Sequence, residues 1–131
     1  MDQLEKQGVV SRADQPTDWC APIVVVPNLR SGDVRLCVGL TKLNKQVKRE
    51  RLVLPAVDDV LAELCGAKVF LKLDANSGFY QIELTEESSF LTTFITPFGR
   101  YHYKRHPFGI TSAPETLAVH LIRHGSDSQY D

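Results

Sequence analysis

The chain has 131 residues, of which 43% are hydrophobic and 24% are charged, and its formal net charge is −1. This balance is typical of a globular chain that forms one domain or part of one, and a net charge so close to zero gives no overall attraction to a polyanion. No apolar run approaches the ~20 residues needed to cross a bilayer, and the first residues lack the cationic and apolar regions of a secretory signal.

The first part of the chain predicts an antiparallel hairpin. Residues 1–18 are mostly polar and predict an N-terminal segment with a short helical piece. Residues 23–26 form a β-branched run that is too short for anything but a strand. Turn-forming residues follow at 28–33, and residues 34–38 alternate in part, which predicts the partner strand.

A basic and irregular stretch follows at residues 40–54. Such a stretch is able to track a phosphate backbone, but a solvated surface that aids solubility is the more common role. On charge alone the second interpretation is favoured. The five cationic residues, which fall within ten positions, are Lys42, Lys45, Lys48, Arg49 and Arg51.

Residues 55–65 predict a helix. Pro55 suits the first helical position, Asp58 and Asp59 complement the positive end of the helix dipole, and Gly66 suits a C-terminal cap. Three apolar residues share one face at helical spacing, which predicts that the helix packs on a sheet. They are Val57, Leu61 and Leu64.

A single carboxylate stands at the end of an apolar strand pattern. Residues 69–73 predict a buried strand that ends at Asp74, followed by a turn at 75–78 and a further strand at 79–84. A carboxylate in this place is able to face a cleft while its neighbours anchor it, as a metal-dependent phosphoryl-transfer site requires. An aspartate before a turn more often caps that turn, so the residues alone leave both roles open.

The last third of the chain predicts a short helical or turn segment at 85–88, then a hairpin and a helix. Residues 91–96 and 100–105 flank a Pro-Phe-Gly turn and predict the hairpin. Ser112 is a suitable N-cap for a helix that runs to about Arg123. The remaining residues are polar and predict a frayed tail.

The cysteines bear on the compartment. Cys20, Cys37 and Cys65 are odd in number and lack the spacing of metal ligands. They therefore predict a reduced, intracellular environment, either cytoplasmic or nuclear. A secreted protein or one that contacts a membrane is not expected.

Seven blocks of the sequence stand in a distinctive order. They are Leu4-Glu-Lys-Gln-Gly-Val-Val10, Trp19-Cys-Ala-Pro-Ile-Val-Val-Val26, Arg35-Leu-Cys-Val38, Leu43-Asn44, Leu54-Pro55, Leu73-Asp-Ala-Asn-Ser-Gly-Phe-Tyr-Gln-Ile82 and Pro107-Phe-Gly-Ile-Thr-Ser-Ala-Pro114. In this order and approximate spacing they resemble the reverse transcriptase of gypsy-type long-terminal-repeat retrotransposons. Seven blocks together are far more specific than any single short motif.

The resemblance implies an α+β fold. The chain would be a fragment of a polymerase right hand, with antiparallel sheets, helices packed on one face and an incomplete palm. It would form a single partial domain, fingers-like over about residues 1–68 and a partial palm over 69–124, with a frayed tail at 125–131. The palm sheet would contain the strands at 69–73 and 79–84 together with the hairpin that follows them.

The resemblance also implies nucleotidyl transfer with two divalent ions, Mg²⁺ or Mn²⁺, in the parent enzyme. Asp74 matches the first catalytic aspartate of the family, and the backbone carbonyl of Ala75 matches a second metal contact. The family's paired aspartates, in a Tyr-X-Asp-Asp turn, have no match in this sequence. The chain alone is therefore expected to lack a complete two-metal site and to be inactive.

Four residues match nucleotide contacts of the family. Phe79 matches the steric gate, whose ring excludes a ribose 2′-hydroxyl. Arg35 matches a fingers arginine that contacts the triphosphate, and Phe108 and Gly109 match a turn beside the nucleotide and the template base. Without the resemblance, the two phenylalanines would be interpreted as core residues and Arg35 as a polar strand residue.

The implied partners are an RNA or DNA template-primer and deoxynucleoside triphosphates, with the five cationic residues of the basic stretch as a weak nucleic-acid surface. A non-enzymatic remnant that binds nucleic acid through the same stretch is the alternative function. An incomplete palm sheet would also leave an open edge and apolar surface, which predicts self-association or aggregation.

Overall fold

The structure, a computed structural model, describes residues 1–27, 32, 34–49, 52–70, 72 and 74–125, with the backbone alone at 34–36 and 122–125. None of the helices in these ranges is long and apolar enough to cross a membrane. In chain order the elements are α1 (Asp2–Lys6), β1 (Val10–Arg12), β2 (Ile23–Pro27), β3 (Val34–Val38), α2 (Thr41–Asn44), α3 (Val57–Glu63), a 3₁₀-helix (Gly78–Gln81), α4 (Glu86–Leu91), β4 (Phe94–Thr96), β5 (Gly99–Tyr103) and α5 (Ala113–Gly125).

The core lies on a three-stranded antiparallel sheet in the order β1-β5-β4. Val10 of β1 pairs with Tyr103, and Phe94 of β4 pairs with Tyr101. The Phe94 side chain is fully buried, and its ring centroid lies 5.2 Å from that of Tyr103 and 6.2 Å from that of Tyr101. These aromatic pairs contribute more than their buried area alone, so Phe94 is the main anchor of the sheet.

The predicted hairpin over residues 23–38 is confirmed as a second antiparallel sheet, in which β2 pairs with β3. Ala21, just before β2, connects this hairpin to the core sheet. Its N–H donates to the Thr93 carbonyl at 2.8 Å, and its carbonyl accepts from the Ile95 N–H at 3.1 Å. The two sheets are therefore linked through the backbone of a fully buried alanine.

Several other sequence predictions are confirmed. The short N-terminal helical piece is α1, the hairpin of the last third is β4 with β5, and the helix after Ser112 is α5. The segment that begins at Thr85 is the helix α4, capped by the Thr85 hydroxyl, which accepts from the Ser88 N–H at 3.3 Å. Antiparallel sheets with helices make up the predicted α+β class.

The predicted strand at residues 69–73 is wrong for the residues that are described. Residues 69, 70 and 72 lie in no strand, and Val69 and Phe70 are 88% and 64% exposed. Residues 71 and 73 lie outside the described residues. The apolar pattern alone did not produce a strand, because a strand forms only when a neighbour accepts its backbone hydrogen bonds.

The predicted strand at residues 79–84 is also wrong. The chain instead forms the 3₁₀-helix, in which the Tyr80 N–H donates to the Ser77 carbonyl at 2.8 Å. Ser77 has a left-handed backbone with φ of 50°, and this turn starts the helix. A Cβ at Gly78 would lie 3.2 Å from Leu117 Cδ2, so the helix approaches α5 closely where only glycine fits without displacement.

Residues 52–70, hereafter the exposed apolar segment, differ from the prediction in their burial. α3 begins at Val57 rather than at Pro55, and its N-cap residue, Ala56, makes no side-chain cap hydrogen bond. Val57 is 74% exposed and Leu61 is 57% exposed, so the apolar face of α3 faces solvent instead of packing on a sheet.

Candidate functional site

Three aromatic rings meet where the 3₁₀-helix approaches the turn that follows β5. The Phe108 centroid lies 5.1 Å from that of Phe79 and 5.2 Å from that of Tyr80, both in edge-to-face geometry. His106 lies 5.9 Å from Phe79 in a tilted arrangement. These four residues form the aromatic cluster. Edge-to-face contacts of this kind are favourable and set the mutual orientation of the rings.

Backbone pairing brings the two arms of the aromatic cluster together. The His106 N–H donates to the Ile82 carbonyl at 2.9 Å, and Glu83 forms a bridge with Arg105. An ion pair of 2.8 Å between the guanidinium of Arg105 and the carboxylate of Glu83 supports the same pairing. Phe79 and Phe108, which are 29 positions apart in sequence, are thereby held side by side.

Two members of the aromatic cluster are titratable. His106 is buried, and burial lowers its pKa below the usual value, partly offset by the hydrogen bond between its Nδ1 and the Pro107 carbonyl. Burial raises the pKa of the Tyr80 hydroxyl. Both shifts favour the neutral form near neutral pH, so the cluster presents apolar ring surface and no charge.

The turn that carries Phe108 and Gly109 is held from the other side by Asn44, the last residue of α2. The Asn44 Nδ2 donates to the Gly109 carbonyl at 2.7 Å, and the Asn44 Oδ1 accepts from the Thr111 N–H at 2.9 Å. Gly109 has φ of 94°, a left-handed conformation that favours glycine. The Phe108 ring is 53% exposed, so it is available for contact.

The basic segment, residues 42–49, carries Asn44 together with four of the five cationic residues of the basic stretch. Lys42, Lys45 and Lys48 are exposed, and no ion pair involves them within the described part of the chain. The Lys42 Nζ lies 5.8 Å from the centre of the Trp19 ring, a cation–π contact. Arg49 forms an ion pair of 3.6 Å with Glu115 in α5. Arg51 lies outside the described residues.

Asp74 and Ala75 lie just before the 3₁₀-helix, and the Asp74 side chain is exposed. Over the described ranges, no group of three or more His, Cys, Asp or Glu side chains is close enough together to hold a metal ion. A two-metal site needs several carboxylates to balance the charge of its ions. The donor set of the described residues therefore does not fit a complete two-metal site.

The structure brings together Phe79, Phe108 and Gly109 among the residues singled out from the sequence. It describes Arg35 only as a backbone position in β3, so the predicted triphosphate contact lies outside the described side chains. Sequence reasoning missed the roles of Asn44 and Tyr80. Both belong to blocks that carry the resemblance, Leu43-Asn44 and Phe79-Tyr80, which was the available signal.

Comparison with known proteins identifies the family. Residues 26–123 match the family model for reverse transcriptase (RNA-dependent DNA polymerase). The chain belongs to the reverse transcriptase family. This agrees with the resemblance found in the seven sequence blocks.

The most similar relatives include polyproteins of mobile elements and a plant virus. The chain is 39% identical over 106 residues to the retrovirus-related Pol polyprotein from transposon 412 of Drosophila melanogaster, a match that covers 77% of this chain and 9% of that polyprotein. It is 36% identical over 104 residues to the enzymatic polyprotein of cauliflower mosaic virus (strain Strasbourg), covering 77% of this chain and 15% of the relative. The chain thus spans a small part of the length of the relatives that it matches.

Solved structures support the fold. The crystal structure of a prototype foamy virus protease-reverse transcriptase mutant superposes with a TM-score of 0.75 at 25% identity, covering 98% of this chain and 17% of that one. The foamy viral protease-reverse transcriptase in complex with RNA/DNA hybrid superposes with a TM-score of 0.73 at 22% identity, covering 97% and 17%. The chain therefore has the α+β fold of a reverse transcriptase fragment.

Proposed function

We propose that this chain supplies the nucleotide-binding and template-facing part of an RNA-directed DNA polymerase. The observation that carries the proposal is the edge-to-face contact of 5.1 Å between Phe79 and Phe108 in a chain whose family is reverse transcriptase. These two positions were singled out separately as nucleotide contacts, and they lie side by side. A deoxynucleoside triphosphate is the proposed ligand of the aromatic cluster.

Phe79 is proposed to select the sugar. A rigid ring held against a second ring cannot move aside without losing the edge-to-face contact, so a 2′-hydroxyl placed against it meets a fixed obstacle. Discrimination by such a clash needs no polar contact to the deoxyribose. It depends on how firmly Phe79 is supported, and Phe108 and His106 provide that support.

The basic segment is proposed to contact the backbone of the template. Lys42, Lys45 and Lys48 are exposed cations, and the segment that carries them is hydrogen-bonded through Asn44 to the turn that follows the exposed Phe108. Cations that follow the phosphates together with an aromatic ring for stacking are the usual features of single-strand binding. The foamy viral reverse transcriptase solved with RNA/DNA hybrid supports a nucleic-acid partner of this type.

Asp74 and the Ala75 carbonyl are proposed to contribute ligands for Mg²⁺ or Mn²⁺, which the family uses to polarise phosphate oxygens. The described residues do not complete such a site, so no catalytic step is assigned to them. We expect the 131-residue chain alone to be inactive in primer extension with either ion. Template-dependent incorporation that is abolished by Asp74→Asn would contradict this expectation.

The nucleotide-binding proposal is tested by competition on the chain bound to a fluorescent RNA–DNA template-primer. We expect the chain to prefer a deoxynucleoside triphosphate over the matching ribonucleotide, and Phe79→Ala to bring the ratio of the two dissociation constants close to one. Phe98→Ala is the matched control, because Phe98 is an exposed aromatic residue of the β4–β5 turn outside the aromatic cluster. Equal binding of the two nucleotides by the unmodified chain would overturn the proposal.

A non-enzymatic nucleic-acid-binding module is the second candidate, and the exposed lysines of the basic segment favour it. It predicts binding to single strands that weakens steeply with salt, with a slope that falls by about 0.7 for each lysine replaced by alanine. In this case Phe79→Ala would leave all affinities unchanged. Affinity that does not vary with salt would exclude this candidate.

A further inference from the structure

We infer that Asn44 is a positioning residue that fixes the Phe108–Gly109 turn, and through it the orientation of the aromatic cluster. The inference deepens the proposed function, on which its consequence for nucleotide selection rests. Both polar atoms of the Asn44 side chain are hydrogen-bonded to the backbone of this one turn.

The Asn44 amide spans the turn with a donor and an acceptor at the same time. Its Nδ2 donates to the Gly109 carbonyl at 2.7 Å, and its Oδ1 accepts from the Thr111 N–H at 2.9 Å. These partners lie 65 and 67 positions away in sequence. Two hydrogen bonds from one planar group fix both the distance and the rotation of the turn relative to α2, which a single bond cannot do.

A second tether connects the same two regions. Arg49 at the end of the basic segment pairs with Glu115 in the first turn of α5, and the Glu115 side chain is only 13% exposed. The other Glu115 oxygen, Oε2, is buried without a hydrogen-bond partner among the described residues. The Glu115 carboxylate therefore depends on Arg49, and the helix after the turn is held to the segment that carries Asn44.

The Phe108 ring depends on the turn for its position. The ring is more than half exposed, so close packing on all sides does not hold it in place. Its edge-to-face geometry against Phe79 and Tyr80 is sensitive to small shifts of the backbone. Asn44 thus links the template-facing basic segment to the ring that supports the sugar-selecting Phe79.

Only an amide of this length satisfies both contacts. Asn44→Asp keeps an acceptor for Thr111 but places a second oxygen against the Gly109 carbonyl, and Asn44→Leu removes both bonds. Gln46, an exposed amide in the same segment, provides matched controls. Gln46→Glu introduces the same charge change as Asn44→Asp, and Gln46→Leu the same loss of polarity as Asn44→Leu.

The test combines amide hydrogen exchange with aromatic NMR on the whole chain. In Asn44→Leu we expect the Thr111 amide to exchange about tenfold faster, the change that the loss of one ordinary hydrogen bond produces, and the Phe79 and Tyr80 ring resonances to shift. Asn44→Asp should shift the same rings with a smaller effect on Thr111. Both Gln46 variants should leave the rings and the amide as in the unmodified chain.

Nucleotide competition separates positioning from a purely structural role. Asn44→Leu should lower the preference for deoxynucleotides, and adding it to Phe108→Ala should produce no further loss, because both act on one element. The inference would be overturned if the ring resonances are unchanged in Asn44→Leu. It would also be overturned if the Thr111 amide exchanges faster while the ring resonances and the preference for deoxynucleotides stay the same. If the rings shift but the unmodified chain binds no nucleotide, the proposed function fails and the positioning role of Asn44 stands.

Discussion

Two regions of this chain both carry large apolar residues but differ in burial. In the β1-β5-β4 sheet, Phe94 and Val10 are at most 1% exposed, whereas Val53 and Val69 of the exposed apolar segment are 92% and 88% exposed. The sheet residues are buried because side chains from other parts of the chain, among them Ala21 and Leu40, pack with them in one core. An apolar pattern therefore specifies which face prefers burial, but burial itself requires a second surface.

The strongest test of this comparison removes the anchor of the buried region. Phe94→Ala should lower the free energy of unfolding by about 3–5 kcal/mol, since it deletes a fully buried ring and leaves a cavity between Tyr101 and Tyr103. Urea denaturation followed by circular dichroism measures the change. The neighbouring Ile95→Ala is the matched control, because Ile95 is 54% exposed on the other face of β4. Equal losses for the two variants would show that the sheet is not the core.

The same principle explains how much of the fold could be predicted. The two hairpins were predictable because their strands are adjacent in sequence and their turns carry recognisable residues. The strand β1 was not predicted, since Val10 has its partner Tyr103 more than 90 positions away. The 3₁₀-helix was mistaken for a strand because the left-handed turn at Ser77 and the close approach of Gly78 to α5 depend on tertiary structure.

The candidate site was likewise predictable only in part. The family resemblance singled out Phe79 and Phe108, and the structure places their rings in contact. The resemblance gave no role to Asn44, because the Asn44 amide acquires its partners only when residues 109 and 111 fold back onto α2. The assignment of Asp74 as a metal ligand stays a prediction, since the described residues do not supply a full set of ligands around it.

Acid should weaken the buried region before it affects the exposed apolar segment. Burial lowers the pKa of His102 and of His106 in the folded chain, and Lys104 lowers that of His102 further. A histidine with a lowered pKa takes up its proton more readily in the unfolded chain, so stability is complete above about pH 6.5 and decreases as the pH falls from there toward the folded pKa values. Denaturation midpoints at pH 7.5 and 5.5 measure the loss. A midpoint that rises at pH 5.5 would contradict the pKa directions.

Changing a helix cap should produce a smaller difference in unfolding free energy between the two regions. Thr85→Ala removes the acceptor for the Ser88 N–H and should cost about 1 kcal/mol, because α4 packs against β5 and unfolds with it. In α3 the N-cap is Ala56, so Ala56→Ser offers a new cap to an exposed helix. We expect Ala56→Ser to change the global unfolding free energy by less than about 0.5 kcal/mol. A gain as large as the Thr85→Ala loss would mean that α3 belongs to the cooperative core.

The smallest effect on stability should come from the exposed apolar segment, where the effect on association should be largest. Phe70→Ser replaces a ring that is 64% exposed and should change the unfolding free energy by less than about 0.5 kcal/mol. The same change should reduce self-association in sedimentation velocity over a concentration series, because Phe70 is one of many exposed apolar side chains in this segment. Phe98→Ser is the control: its ring is 74% exposed but lies at the tip of a hairpin outside this segment. If Phe98→Ser suppresses association as strongly as Phe70→Ser, scattered apolar side chains cause the association and the segment has no special role.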